Sequence, residues 1–144
     1  MKYLFDTDHI SFLQRRSGSE YASLAARIAT FSPGDFAFSV ISLHEQVLGA
    51  NAFINRAQTS AGTIRGYDTL LEILQSFSIA PVLPFDTGAA VIFDELRAQR
   101  IRIATMDLRI ASIALARGLI LLTRNTRDFN QVPGLITEDW TVDS

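Results

Sequence analysis

The sequence predicts an α/β fold, a single domain over residues 1–144 with a central, mostly parallel sheet of four to five strands flanked by helices. Three observations carry this expectation. Short apolar runs alternate with stretches of helical periodicity along the whole chain. The length of 144 residues, with 48% hydrophobic and 19% charged residues, suits one packed core and excludes disorder as the main description. Polar clusters follow directly after the apolar runs, where an open parallel sheet places its ligands.

In chain order, KYLF (2–5) reads as a buried strand that halts at Asp6-Thr7-Asp8-His9. Ile10 and Leu13, then Tyr21, Leu24, Ile28 and Phe31, recur at helical spacing. Ser17-Gly18-Ser19 divides them into two helices, and Ser32-Pro33-Gly34-Asp35 ends the second. FAFSVIS (36–42) reads as the second strand. Ser42-Leu43-His44-Glu45 matches a capping box and opens a helix to about Ile54, and Thr59 to Phe77 carries another helix. Ile79 to Phe85, with Pro81 and Pro84, is a short third strand or extended connection. Asp86-Thr87 caps a helix to about Arg100 with Ala89, Ala90, Phe93 and Leu96 inside, and Asp107 opens a compact helix that stops at Gly118. Leu119 to Thr123 is an apolar strand, RNTRD a polar loop, and Leu135 to Thr137 a last short strand.

Composition removes several classes of chemistry. Without cysteine there is no disulfide scaffold, thiolate zinc site, iron–sulfur cluster or cysteine nucleophile, and two histidines, His9 and His44, do not make an imidazole cage. The N-terminus reaches an acid at Asp6, too early for a secretory leader, and no apolar run is long enough to span a bilayer; the expectation is a soluble, cytoplasmic protein. A net charge of -2 does not announce a nucleic-acid binder. Between positions 97 and 127, however, seven arginines (97, 100, 102, 109, 117, 124, 127) face Asp107 as the single acid, a local field able to attract phosphates.

The candidate site residues are Asp6-Thr7-Asp8 after the first strand, Glu45 in the helix after the second, Asp107, and Thr123-Arg124-Asn125 after the strand LILLT. Each acid has a structural alternative. Glu45 closes the capping box, Asp107 complements a helix N-terminus, Asp6 and Asp8 cap the first helix, and Asp128 turns the loop before Phe129. The surroundings favour more. Glu45 stands above Gly49 and Ala52, and Asp107 above Ala111 and Ala114, all small residues one and two turns on; Gly49 reads as a point of close backbone approach. If Asp6, Glu45 and Asp107 converge with no lysine or histidine beside them, they cannot all stay ionised unless a divalent cation joins them. Oxygen-only ligands favour Mg²⁺, with Mn²⁺ as a substitute, and such a centre suits phosphodiester hydrolysis.

Four blocks, YLFDTDHISFLQR, SVISLHEQVLGA, MDLRIASIALARGLILLTRNTRDF and VPGLITEDW, together resemble PIN-domain ribonucleases of the VapC toxin type, from residue 3 to residue 140. The resemblance implies a PIN-like parallel sheet and an acidic, Mg²⁺-dependent site that cuts single-stranded or loop RNA. It implies Asp6 and Asp107 as principal metal ligands, Glu45 completing the site directly or through water, and Asn125 as a catalytic position where many relatives carry an acid. Asn125 brings hydrogen bonds but no charge, and Asp128 is the next acid able to reach in through a water. Thr7, Thr123, Arg109, Arg124 and Asp128 are the implied substrate-binding residues. Arg100, Arg102 and Arg127 are further candidates for RNA phosphates, and Phe12 and Phe129 either stack on bases or pack in the core. The resemblance also implies a VapB-like antitoxin partner and a homodimer.

Two other readings compete. A haloacid-dehalogenase-type phosphatase shares the DxD opening, but the sole lysine, Lys2, lies at the wrong end of the first strand. A catalytically silent PIN-like module that binds RNA or protein is kept open by Asn125. His9 is expected at a helix cap or on the surface, His44 away from the chemistry, and Trp140 packing the last strand against the sheet.

Overall fold

The computed structural model describes residues 1–143. Five strands, β1 (Tyr3–Phe5), β2 (Phe36–Ser39), β3 (Val82–Leu83), β4 (Ile120–Leu122) and β5 (Thr137–Glu138), form one sheet in the order β3-β2-β1-β4-β5. Every pairing is parallel. Seven helices connect and cover them: α1 (Thr7–Arg15), α2 (Ser19–Ile28), α3 (Val40–Arg56), α4 (Ser60–Ser76), α5 (Thr87–Ala98), α6 (Thr105–Arg117) and α7 (Thr126–Phe129). Among the described residues no helix is long and apolar enough to cross a membrane.

The strands are buried on both faces, and side chains alternate between two cores. Leu4, Ala37, Leu83 and Leu121 point to the side covered by α5 and α6, where they meet Ala89, Phe93, Leu96, Leu108 and Ile110. Tyr3, Phe5, Phe36, Phe38 and Leu122 point the other way, toward Ile10 of α1, Leu24 of α2, Ala50 of α3 and Ile73 of α4. Trp140, fully buried, closes that second core as anticipated: it lies 5.2 Å from Phe31 and 4.7 Å from Tyr3, centroid to centroid. Helix α6 packs closely against the sheet because Ala111 and Ala114 are small and completely buried.

Element boundaries depart from the sequence reading in four places. Strand β2 stops at Ser39, not at residue 42, because the Ser39 hydroxyl turns to accept the backbone N–H of Ser42 (3.1 Å) and starts α3 at Val40. Ser39 is therefore the cap, and the expected box between Ser42 and Glu45 does not exist. Helix α6 opens at Thr105, which puts Asp107 inside its first turn. The RNTRD loop winds into α7, capped by Asn125, whose side chain accepts from the Asp128 N–H. The last strand falls at Thr137–Glu138, slightly beyond the expected run, where Leu121 and Thr123 donate to the carbonyls of Ile136 and Glu138 (2.9 Å each).

Gly49 is not a point of close approach: a methyl group built there meets nothing within 4 Å. The tight contact lies at Gly66, where α4 crosses α3 and a Cβ would sit 2.5 Å from Ile54 Cγ1 and 3.2 Å from Phe53 Cδ1. Opposite effects follow for the same substitution. Gly49→Ala should stabilise the fold by up to about 1 kcal/mol through helix propensity, whereas Gly66→Ala should destabilise it by about 1 kcal/mol or more through overpacking. Thermal or urea unfolding of the two variants checks the signs.

Candidate active site

Strand β1 ends the chain's most central run by delivering Asp6 to the carboxyl edge of the sheet. Asp6 is 6% exposed. Its Oδ1 accepts from the Thr7 N–H at 2.8 Å and so caps α1, while Oδ2 accepts from the Thr123 hydroxyl at 2.7 Å. The capping reading of Asp6 thus holds through one oxygen, while the other is fixed by β4. Thr123, fully buried at the end of β4, lies beneath the carboxylate rather than against a substrate. Its hydroxyl also accepts from the Asn125 N–H at 3.0 Å, which shapes the turn into α7.

Glu45 comes from the second turn of α3. The Thr7 hydroxyl donates to Glu45 Oε1 at 2.8 Å and lies 2.9 Å from Ser42 Oγ. Thr7 is therefore committed to orienting Glu45, and a second rung, the paired amides of Gln14 and Gln46 at 2.7 and 2.9 Å, holds the same two helices together. Asp107 is partly buried in the first turn of α6. Asp128 is gripped by Asn125, whose Nδ2 donates to Asp128 Oδ2 at 3.1 Å. Asn125 is thus spent on a cap and on Asp128.

These carboxylates feel one another. Burial, then the charge of Asp8 and more weakly that of Asp107, pushes Asp6 up to about 7 despite the opposing hydrogen bonds from Thr123 and Thr7. Burial raises Asp107 to about 6, helped by the charges of Glu45, Asp128 and Asp8. None of the ion pairs among the described residues involves Asp6, Glu45, Asp107 or Asp128. Carboxylates brought together without a positive side-chain partner are a set of hard oxygen donors. No three Asp, Glu, His or Cys side chains among the described residues close into a ready cage. The donor chemistry of the set, carboxylate oxygen alone, suits a hard divalent cation.

Two residues outrank their sequence reading. Asp8 accepts the Arg124 N–H at 2.9 Å, which ties the first turn of α1 to the segment entering α7. His9 is not on the surface but completely buried. Its Nε2 accepts the Trp140 N–H at 3.1 Å, so the ring proton sits on Nδ1 and is donated to Asp8 Oδ1 at 2.7 Å. The Asp8–Arg124 and His9–Trp140 contacts each join segments more than a hundred residues apart, and nothing local in DTDH signals them.

The remaining candidates sort by place. Arg109 does not face the carboxylates; its guanidinium lies 5.7 Å from the Phe93 ring and touches Met106 Sδ at 3.6 Å. Arg97 covers the same ring at 5.6 Å. Phe129 is core, at 0% exposure. Arg100, Arg102 and Arg127 are exposed, as is His44. Arg124 is exposed beside the site, its guanidinium 5.6 Å from the half-buried ring of Phe12.

Comparison with known proteins places the chain in a family. Residues 3–135 match the PIN domain family. The tRNA(fMet)-specific endonuclease VapC of Shigella flexneri is 29% identical over 98% of this chain and 99% of its own length. The tRNA(fMet)-specific endonuclease VapC of Salmonella typhimurium is 32% identical over 71% of this chain and 73% of its own. The crystal structure of DNA-bound VapBC from Salmonella typhimurium shares the fold with a TM-score of 0.76 at 26% identity, covering 97% of this chain and 98% of that one.

The raised carboxyls make stability depend on pH with a definite sign. Between the unfolded value of 3.8 and the folded value of about 6, Asp107 binds more protons in the folded state, so its stabilising contribution is present below pH 4 and lost as pH rises through 6. The metal-free protein should therefore lose stability relative to Asp107→Asn from pH 4 to pH 8, by on the order of 1–3 kcal/mol. Thermal unfolding in EDTA at both pH values measures this difference, and added Mg²⁺ or Mn²⁺ should reverse it at pH 8.

Proposed function

Because the chain belongs to the PIN domain family, we propose that it is a metal-dependent endoribonuclease, the toxin component of a type II toxin–antitoxin pair, that hydrolyses RNA phosphodiester bonds. The supporting observation is the carboxylate set itself: Asp6 and Asp107 raised by burial and by neighbouring acids, with no cation paired to either. PIN-domain ribonucleases are metal-dependent, and the hard oxygen donors here favour Mg²⁺, with Mn²⁺ as a substitute. When bound, the ion supplies positive charge for the phosphoryl oxygens and lowers the pKa of a water.

The chain's own residues divide the work. Asp6 and Asp107 would hold the cation, one immobilised by Thr7 and Thr123, the other set in the first turn of a helix packed on the sheet. Glu45, with Oε1 engaged by Thr7, completes the site directly or through water. Asn125 acts by presenting Asp128, the charge that Asp107 feels from the α7 side. Thr7 and Thr123 act as positioning residues, and Arg124 stands nearest as a phosphate contact. The solved structures similar to this chain include a VapBC complex, which supports a VapB-like antitoxin as partner; assembly as a homodimer belongs to the same reading. In this reading the chain meets its RNA substrates in the cytoplasm.

Cleavage of a mixed pool of cellular RNA by the antitoxin-free protein tests the reading. Discrete cuts are expected with Mg²⁺ or Mn²⁺ and none in EDTA. Asp6→Asn and Asp107→Asn should each lose about 10²–10³-fold in rate, the scale for removing one preorganised charge partner of the transition state. Thr7→Val should lose about 10–100-fold, as expected for a group that orients a ligand. If wild type and Asp107→Asn are equally inert while both bind RNA, the silent binding module replaces the enzyme.

A further inference from the structure

Phe12, Arg15 and Arg124 make a layered aromatic and guanidinium surface immediately beside the carboxylates. Asp8, Phe12 and Arg15 follow one another at spacings of four and three on α1 and so share one helix face. The Arg15 Cζ lies 5.4 Å from the centre of the Phe12 ring and the Arg124 Cζ 5.6 Å. Phe12 is only half buried, and both arginines are exposed. The surface is rigidly tied to the site, since the Arg124 N–H is held by Asp8 and the preceding Thr123 hydroxyl holds Asp6.

Both guanidiniums lie against Phe12; beyond that, Arg15 enters no ion pair among the described residues, and Arg124 pairs only with Asp139, at 4.0 Å and with its side chain 44% exposed. Other arginines of the molecule are engaged elsewhere: Arg27 with Glu138 and Trp140, Arg117 with Asp86, Arg97 and Arg109 over Phe93. A phosphodiester chain approaching four acids is repelled unless cations flank its path. An aromatic ring interleaved with guanidinium planes offers such cations together with a flat surface for a base.

We propose that Phe12, Arg15 and Arg124 form a nucleotide subsite, in which an unpaired base of the RNA next to the scissile phosphate stacks on the aromatic–guanidinium layer and the arginine N–H groups take the adjoining phosphate. The base is unpaired because only a base freed from its neighbours presents a face for stacking. Without RNA the two guanidiniums cover the ring, which is how a half-exposed phenylalanine is accommodated there. The subsite rests on the ribonuclease reading above and adds to it which residues of this chain hold the unpaired base.

The test uses the full chain in an Asp107→Asn background, so that RNA is bound but not cut, and a short single-stranded oligoribonucleotide with 2-aminopurine at successive positions. Binding should quench the fluorescence at one position. Phe12→Leu should abolish that quenching and weaken binding about 5–30-fold, the scale for one stacked base, while Phe12→Trp should keep both. Arg124→Gln should weaken binding and reduce the salt slope by about one. Thermal unfolding confirms that each variant is folded, and the Trp and Gln arms decide the matter if Phe12→Leu is not. Unchanged quenching and affinity in folded Phe12→Leu and Arg124→Gln overturn the subsite. Cleavage by the chain with native Asp107 separates the two readings: cutting with no dependence on Phe12 or Arg124 defeats the subsite alone, whereas position-specific stacking without any cutting defeats the nuclease and leaves the subsite.

Discussion

A carboxyl group buried at the end of the central strand, with other acids around it and no positive partner, is the least favourable feature of this molecule taken alone. Asp6 is held in that position from two directions: the first turn of α1 offers it a backbone N–H, and β4 offers it the Thr123 hydroxyl. Both hydrogen bonds favour the charged form, and burial together with Asp8 still outweighs them. The surrounding architecture is arranged so that this unfavourable charge density stays in place, where a hard cation would resolve it.

The sheet order explains how the acids meet. Strand β1 lies in the middle, so its carboxyl end faces the connections that leave both neighbours, α3 after β2 and α7 after β4. Glu45 comes from the first of these and Asp128 from the second, and Asp107 enters from α6, which leads into β4. Small residues set the last approach: Ala111 and Ala114, buried completely, let α6 lie close to the sheet. The side chains between the acids are correspondingly polar. Thr7 joins Glu45 to α1, Asn125 fixes the Asp128 carboxylate at the start of α7, and Asp8 joins α1 to Arg124. Removing the charge of an acid and removing the hydroxyl that aims it are therefore different perturbations, one electrostatic and one geometric.

The alternation of apolar runs and helical periodicity made most elements legible, because burial on both faces demands continuous apolar strands and amphipathic helices. Boundaries were less legible where a single side chain decides them. Ser39 and Ser42 are both plausible caps in FAFSVISLHE; the choice fell to Ser39 because its hydroxyl reaches the Ser42 N–H while Ile41 goes into the core on the α5 and α6 side. Gly49 and Gly66 look alike on helical wheels, yet only Gly66 lies under a crossing helix. His9 looks like a surface residue in DTDH, and its burial comes from Trp140, 131 positions away.

By itself the sequence determined the fold class, singled out Asp6, Glu45 and Asp107 as the candidate acids, and left no cysteine and no lysine but Lys2 for another chemistry. Those follow from residue types and from periodicities that operate over one strand or one turn. Only the tertiary structure decided what each neighbour does: that Thr7 and Thr123 aim carboxylates, that Asn125 holds Asp128, that Arg109 covers Phe93 while Arg124 and Arg15 flank Phe12. A hydrogen bond or a cation over a ring forms between groups a few ångströms apart, and when their separation along the chain exceeds a helical turn, only the packing of the sheet and its helices brings them within that distance.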